Sequence, residues 1–211
     1  SISLCGSGTH TQTIRHSPTN TPQPPLTTRQ RTLFHNLLSS FLTEGFESFT
    51  IDGATKRFYC SKSTLYALGS SRDDIIRRIL ISFFKEVTRR TEAALKFHRS
   101  PKAALEQYFL AISAALEPAS PAFMRDLARK PVAREIYQTN TTAATKIISN
   151  LIAQGAASGE FSTESPAFIA ALITNAMEGI QLGTYADFVS APQAYEQLGK
   201  LLIQGLTPQD P

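Results

Sequence analysis

Apolar residues recur at intervals of three and four along most of this chain, and no stretch alternates convincingly enough to predict a strand. Leu33, Leu37 and Phe41 fall on one such row and Phe34, Leu38 and Leu42 on the next, which predicts a helix from about Thr28 to Glu44. Gly45 is its stop residue. Thr50 is placed to cap a short helix from Ile51 to about Phe58. The pair Tyr59-Cys60 makes a turn, and Ser61 caps a further short helix from Lys62 to about Leu68. Ser71 opens a long helix, with Asp74 three positions on in the manner of a capping box. In that helix Ile75, Ile79, Phe83 and Val87 form one apolar row and Ile76, Leu80 and Phe84 another, as far as about His98. After Pro101 the pattern predicts helices over 102–117, 121–129, 132–157, 166–187 and 191–205, separated by Pro-, Ser- and Gly-containing connections. The fold class read from this pattern is all-α. It divides into a disordered tail over 1–26, a three-helix helix-turn-helix head over 27–73, and a helical body over 74–207.

The helix after the Tyr59-Cys60 turn carries small polar and basic residues where an apolar surface would be expected. Such a surface suits a helix that enters the major groove of DNA. Charge agrees with this. Between Thr27 and Ser100 there are 13 Lys or Arg against 7 Asp or Glu, whereas from Pro101 onward there are 7 against 10. The basic excess therefore gathers on the segment that holds the turn, where a polyanion would be attracted in a salt-dependent way.

Composition narrows the remaining classes. Hydrophobic residues make up 42% and charged residues 18%, which is enough apolar material for a packed core. No apolar run approaches the ~20 residues of a membrane span, and the first residues lack the pattern of a signal peptide. Cys5 and Cys60 are too far apart in character to suggest a disulfide framework, so the expected compartment is a reducing cytoplasm. His10 and His16 lie in the Ser-, Thr- and Pro-rich tail without ligand spacing, and neither a metal nor a cofactor is expected. His35 and His98 have no evident partner. With no Ser-His-acid arrangement and no phosphate-cradling Gly loop, the chain does not read as an enzyme.

Phe41-Leu42-x-x-Gly45-Phe46-x-x-Phe49-Thr50-Ile51 resembles the start of the DNA-binding domain of the tetracycline-repressor-like (TetR) family. Ser61-Lys62-Ser63-Thr64-Leu65-Tyr66 is similar to that family's recognition helix, and Ser71-Arg72-Asp73-Asp74-Ile75 to the opening of its fourth helix. Together these fragments cover about residues 29–80. Three positions depart from the pattern. Thr55 stands where Ala is usual, and Tyr59 where a turn Gly is frequent. Gly69 replaces an aromatic anchor, which is expected to loosen the junction between the third and fourth helices.

The resemblance implies a homodimeric transcriptional regulator, a repressor released from a palindromic operator by a small apolar or amphipathic effector. It implies that Lys62, Ser63 and Ala67 lie nearest the base edges, with Thr64 and Tyr66 reaching phosphate. Thr50, Ser61 and Arg72, at or near helix N-termini, suit phosphate as well, although Thr50, Ser61 and Ser71 can equally serve as caps alone. Lys56 and Arg57 are either backbone contacts or a solvated basic face. Cys60 is either a redox switch or a small buried hydrophobe. In the body, Phe97, Tyr108, Phe109, Phe123, Met124, Tyr137, Met177 and Tyr185 are candidates for an effector pocket, with Asn175, Gln181 and Tyr137 as polar orienters. They can equally be ordinary core. Phe168, Ala171, Leu172, Gly179, Leu198, Leu201 and Leu202 are the candidates for contact with a second copy. The alternative class is a helical dimer that binds small molecules or proteins, with its DNA-reading head impaired.

Overall fold

In the computed structural model, which describes residues 24–209, the described residues form nine helices and no strand. They are α1 (Thr28–Glu44), α2 (Ile51–Arg57), α3 (Lys62–Tyr66), α4 (Arg72–Lys96), α5 (Pro101–Leu116), α6 (Pro121–Arg129), α7 (Pro131–Ser158), α8 (Pro166–Gln181) and α9 (Ala191–Leu206). Most of the expected tail, with His10 and His16, lies outside the described residues. No helix among the described residues is long and apolar enough to cross a membrane.

Local chemistry sets most helix starts. Thr27 and Gln30 form a reciprocal capping box on α1. Thr50, Ser61, Ser71, Ser100, Ser120, Ser165 and Ser190 each accept a backbone N–H from the first turn of the following helix. On α4 the box is only half made. Ser71 Oγ accepts the Asp74 N–H at 3.1 Å, but the Asp74 carboxylate turns to Ser70 and Arg77. Pro101, Pro121, Pro131 and Pro166 occupy first helical positions, where the missing N–H costs nothing.

One expected helix is too long. The pattern predicts helix over 166–187, yet α8 stops at Gln181. Gly183 takes φ 75°, its N–H bonds Ile180 O at 3.1 Å, and the Thr184 N–H bonds Gly179 O at 2.9 Å. This is a Schellman ending, and turns fill the interval up to α9. The Gly183 signal is present in the sequence, but the apolar spacing outweighs it.

The body packs α4, α5 and α7 against one another, with α9 along α5 and α8 along α7. Gly199 of α9 makes this possible, because a Cβ there would lie 2.5 Å from the Phe109 Cβ. The head, α1–α3, sits on the start of α4 and on α6. A run of neighbouring aromatic rings passes from head to body: Phe49, Phe41, Phe46, Phe123, Phe83, Phe84 and Tyr137, with successive centroids 5.2–6.0 Å apart.

Candidate nucleic-acid interface and the body beneath it

The head presents α3 by burying only one side of it. Leu65 and the following Leu68 are fully buried, whereas Lys62, Ser63, Tyr66 and Ala67 are exposed along the outer side. Ser61 Oγ accepts the Thr64 N–H at 3.1 Å and shares a hydrogen bond with Thr64 Oγ1 at 2.9 Å. Thr50 Oγ1 accepts the Gly53 N–H at 3.0 Å. Capping therefore occupies Thr50, Ser61 and Thr64, while the outer residues of α3 stay open.

The turn before α3 is tight. Phe58 ends α2, Tyr59 takes the left-handed region at φ 50°, and the Cys60 N–H reaches back to Thr55 O at 3.2 Å. Tyr59 thus performs the turn usually given to Gly, the residue 90% exposed. Cys60 is half-buried rather than buried, its thiol 3.9 Å from Ala54 O. Burial pushes the thiol pKa up, the opposite of what a reactive thiolate needs. Ala54, rather than Thr55, is the small buried residue of α2, and Thr55 Oγ1 bonds Asp52 O at 2.7 Å.

Gly69 corrects the expectation of a loosened junction. A Cβ at that position would lie 2.6 Å from Ile75 N and 2.8 Å from Asp74 C, so the missing side chain lets the turn close directly on α4. Leu68 fills the adjoining core and Arg78 donates to the carbonyls of Ala67 and Leu68 at 3.4 and 3.3 Å.

Two of the expected DNA contacts already have partners. Lys62 Nζ lies 2.9 Å from Asp52 Oδ1, and the Asp52 hydrogen bond and charge hold the ammonium pKa above its usual range. Both groups are exposed, so this pair is readily exchanged. Arg72 is held more firmly. Its Nε donates to Phe49 O at 2.6 Å and its Nη2 to Phe46 O and Glu47 O at 3.2 and 3.1 Å. The guanidinium anticipated at a phosphate instead ties α4 to the loop between α1 and α2. Arg57 pairs with Glu44 at the surface and lies over the Phe58 ring, and Lys56 is exposed.

The same loop is gripped from the other side by a residue that sequence reasoning missed. Asp126 of α6 is buried, and its Oδ2 accepts the N–H groups of Phe46 at 2.8 Å and Glu47 at 3.0 Å. Gly45, at φ 79°, leaves room for that carboxylate, since a Cβ would lie 2.4 Å from Oδ2. Lys130 pairs with Glu47, and the Ser120 N–H bonds Leu42 O at 2.8 Å. The available signal was an acidic residue on the buried row Phe123-Asp126-Leu127, where an acid needs a partner.

The expected effector residues do not line one pocket. Tyr108, Tyr137 and Met177 border a void of only about 20 Å³ in the bundle centre, where the Tyr137 and Tyr195 hydroxyls meet at 3.2 Å. Met124 and Tyr185 border a separate cavity of about 480 Å³, and Gln181 a third of about 200 Å³. Phe109 and Phe123 are packed core, Asn175 is exposed, and Phe97 at the end of α4 is 82% exposed. Burial in the bundle pushes the phenols of Tyr108 and Tyr195 up to about 12, and that of Tyr137 well above its usual value.

The expected dimer residues also divide. Phe168 and Leu172 on α8 and Leu201 on α9 are 60%, 47% and 70% exposed, with Ala171 exposed beside them and Leu198 half-buried. Leu202 is instead buried within the protomer, and Gly179 is occupied by the Tyr185 ring, 2.7 Å from where a Cβ would stand. The α9 face that carries Gly199, Leu202 and Leu206 is turned toward its own bundle.

No protein-family model and no curated protein matches the chain. Solved structures do. A TetR-family transcriptional regulator, PfmR, from Thermus thermophilus is 17% identical, covering 83% of this chain and 99% of its own with a TM-score of 0.61. The ketosteroid transcriptional regulator KstR2 of Mycobacterium tuberculosis is 16% identical, covering 88% and 98% with a TM-score of 0.62. A putative TetR-family regulator from Rhodococcus sp. is 16% identical, covering 85% and 99% with a TM-score of 0.64. The chain therefore has the all-α fold of TetR-family regulators, head and body together.

Proposed function

We propose that this chain is a DNA-binding transcriptional regulator that acts as a two-fold dimer, represses from a palindromic operator, and is released by a small effector held in the body. The observation that carries the reading is the outer side of α3, where Lys62, Ser63, Tyr66 and Ala67 stand exposed above a buried Leu65. A lysine and a serine suit guanine O6/N7 and mixed base edges, and alanine permits close approach. On this reading Tyr66 and Thr64 reach phosphate, and Lys62 exchanges Asp52 for the duplex. One five-residue helix reads too few bases alone, so a second copy is required, its α3 about 34–36 Å away in the next major groove. The exposed row of Phe168, Leu172 and Leu201 supports an isologous contact between α8 and α9 of two copies.

Release requires that the effector bind one head spacing better than the other, since equal affinity shifts nothing. The contacts of Asp126 and Arg72 with the loop after α1 support a mechanical route from body to head. The deciding experiment is selection of preferred duplexes from a random pool, followed by fluorescence anisotropy across a salt series. A two-fold symmetric winner whose affinity drops on Lys62→Ala and on Tyr66→Ala, with circular dichroism unchanged, supports the reading. No preference among duplexes at low salt, or full affinity in both variants, refutes it and favours a helical small-molecule-binding dimer.

A further inference from the structure

The centre of the helical body is filled, but there is room elsewhere: a cavity of about 480 Å³ lies between α6 and the turns that join α8 to α9. That volume is within the usual range for small-molecule sites. Met124 and Ala128 of α6 and Tyr185 and Val189 of the opposite segment supply apolar wall. Arg125 and Arg129 supply charge. Being four residues apart on one helix they share a face and repel each other, so a shared anion would relieve them. No ion pair among the described residues uses either guanidinium. Asp126 between them is turned away, taken up by the head's N–H groups. Glu117 and Asp187 also border the cavity, yet among the described residues neither pairs with an arginine. The local charge is unusual for its setting as well. The chain from Pro101 onward is net acidic, but four of its seven basic residues, Arg125, Arg129, Lys130 and Arg134, fall within one ten-residue stretch.

The geometry points to a binding site for an organic carboxylate with an apolar body, its charge held by Arg125 and Arg129 and the rest covered by Met124, Ala128, Tyr185 and Val189. Both arginines are exposed at the rim of the cavity, and guanidinium forks match carboxylate oxygens in pairs. This inference rests on the effector-responsive reading above and gives it a location and a ligand class. The location has a structural consequence. The same helix carries Phe123 and Asp126, which contact Phe46 and Glu47 of the head. A ligand drawing on the two arginines therefore acts on the same nine-residue helix that holds the head.

Isothermal titration of the full chain without DNA tests this, with 1-naphthylacetate as the anionic probe and 2-(1-naphthyl)ethylammonium as its cationic counterpart of similar shape. The expected result is at least about tenfold tighter binding of the anion, and at least about tenfold weaker anion binding in the Arg125→Gln, Arg129→Gln double variant. Equal affinity for the two probes, no anion binding at millimolar concentration, or binding indifferent to the double variant overturns the proposal. The probe comparison is made on the unaltered chain and stands even if the variant misfolds. Because DNA is absent, failure here leaves the DNA-reading proposal untouched, and failure of that proposal leaves this site intact.

Discussion

Asp126 shows how much structure a single side chain can decide. Its carboxylate accepts two backbone N–H groups in a buried setting, so Asp126→Ala leaves both donors without a partner. A loss of about 2–4 kcal/mol is expected in urea unfolding. Gly45→Ala should be comparably damaging, since it combines a left-handed φ with a clash against the same oxygen. Tyr59→Gly should act in the opposite direction. The tyrosine gains no burial and holds a left-handed backbone, so the variant is expected to raise stability by up to about 1 kcal/mol in the same assay. The buried phenols set a pH limit. An ordinary tyrosine ionises near 10, whereas Tyr108 and Tyr195 are pushed to about 12 by burial. The unfolded chain therefore loses these protons first. The stability they contribute is complete below pH 10 and is lost as pH rises through 12, which thermal melts at pH 9 and 11 should register as a fall in Tm.

At the level of elements, apolar spacing and capping residues were enough to place nearly every helix. Thr50, Ser61 and Ser71 cap where expected, and both rows in α4 and the Leu33-Leu37-Phe41 row in α1 are buried, while Leu38 and Leu42 are half-buried. What failed was the end of α8, where an apolar continuation through Leu182 hid the Gly183 stop, and the grouping of effector residues. The second failure has a physical cause: periodicity reports which face of a helix is covered, not what covers it. Met124 and Phe123 are neighbours in the chain, yet one borders a cavity and the other packs in the core. Arg72 and Asp126 gave little signal for the same reason, because their partners are backbone groups of a distant loop. The α2–α3 pair yields its own prediction. Asp52 holds Lys62 and places a negative charge beside the proposed DNA surface. Asp52→Asn is expected to tighten duplex binding several-fold in anisotropy titrations at low salt, with a smaller gain as salt rises.

For the whole molecule, the apolar side chains left uncovered on α8 and α9 are the main feature to be explained. Large exposed apolar groups scattered singly need no account, but Phe168 and Leu172 stand one turn apart on a single helix. Leu172→Glu combined with Leu201→Glu should convert the proposed dimer to a monomer in sedimentation velocity, with circular dichroism preserved. The double clasp on the loop after α1, by Asp126 from one side and Arg72 from the other, also bears on protein engineering. Transplanting residues 27–73 onto an unrelated ligand-sensing scaffold would keep Arg72 with its carbonyl partners but strand the amides of Phe46 and Glu47. A working hybrid of this kind must import an acceptor equivalent to Asp126 along with the graft, so a cut at the start of α4 does not by itself release an independent head.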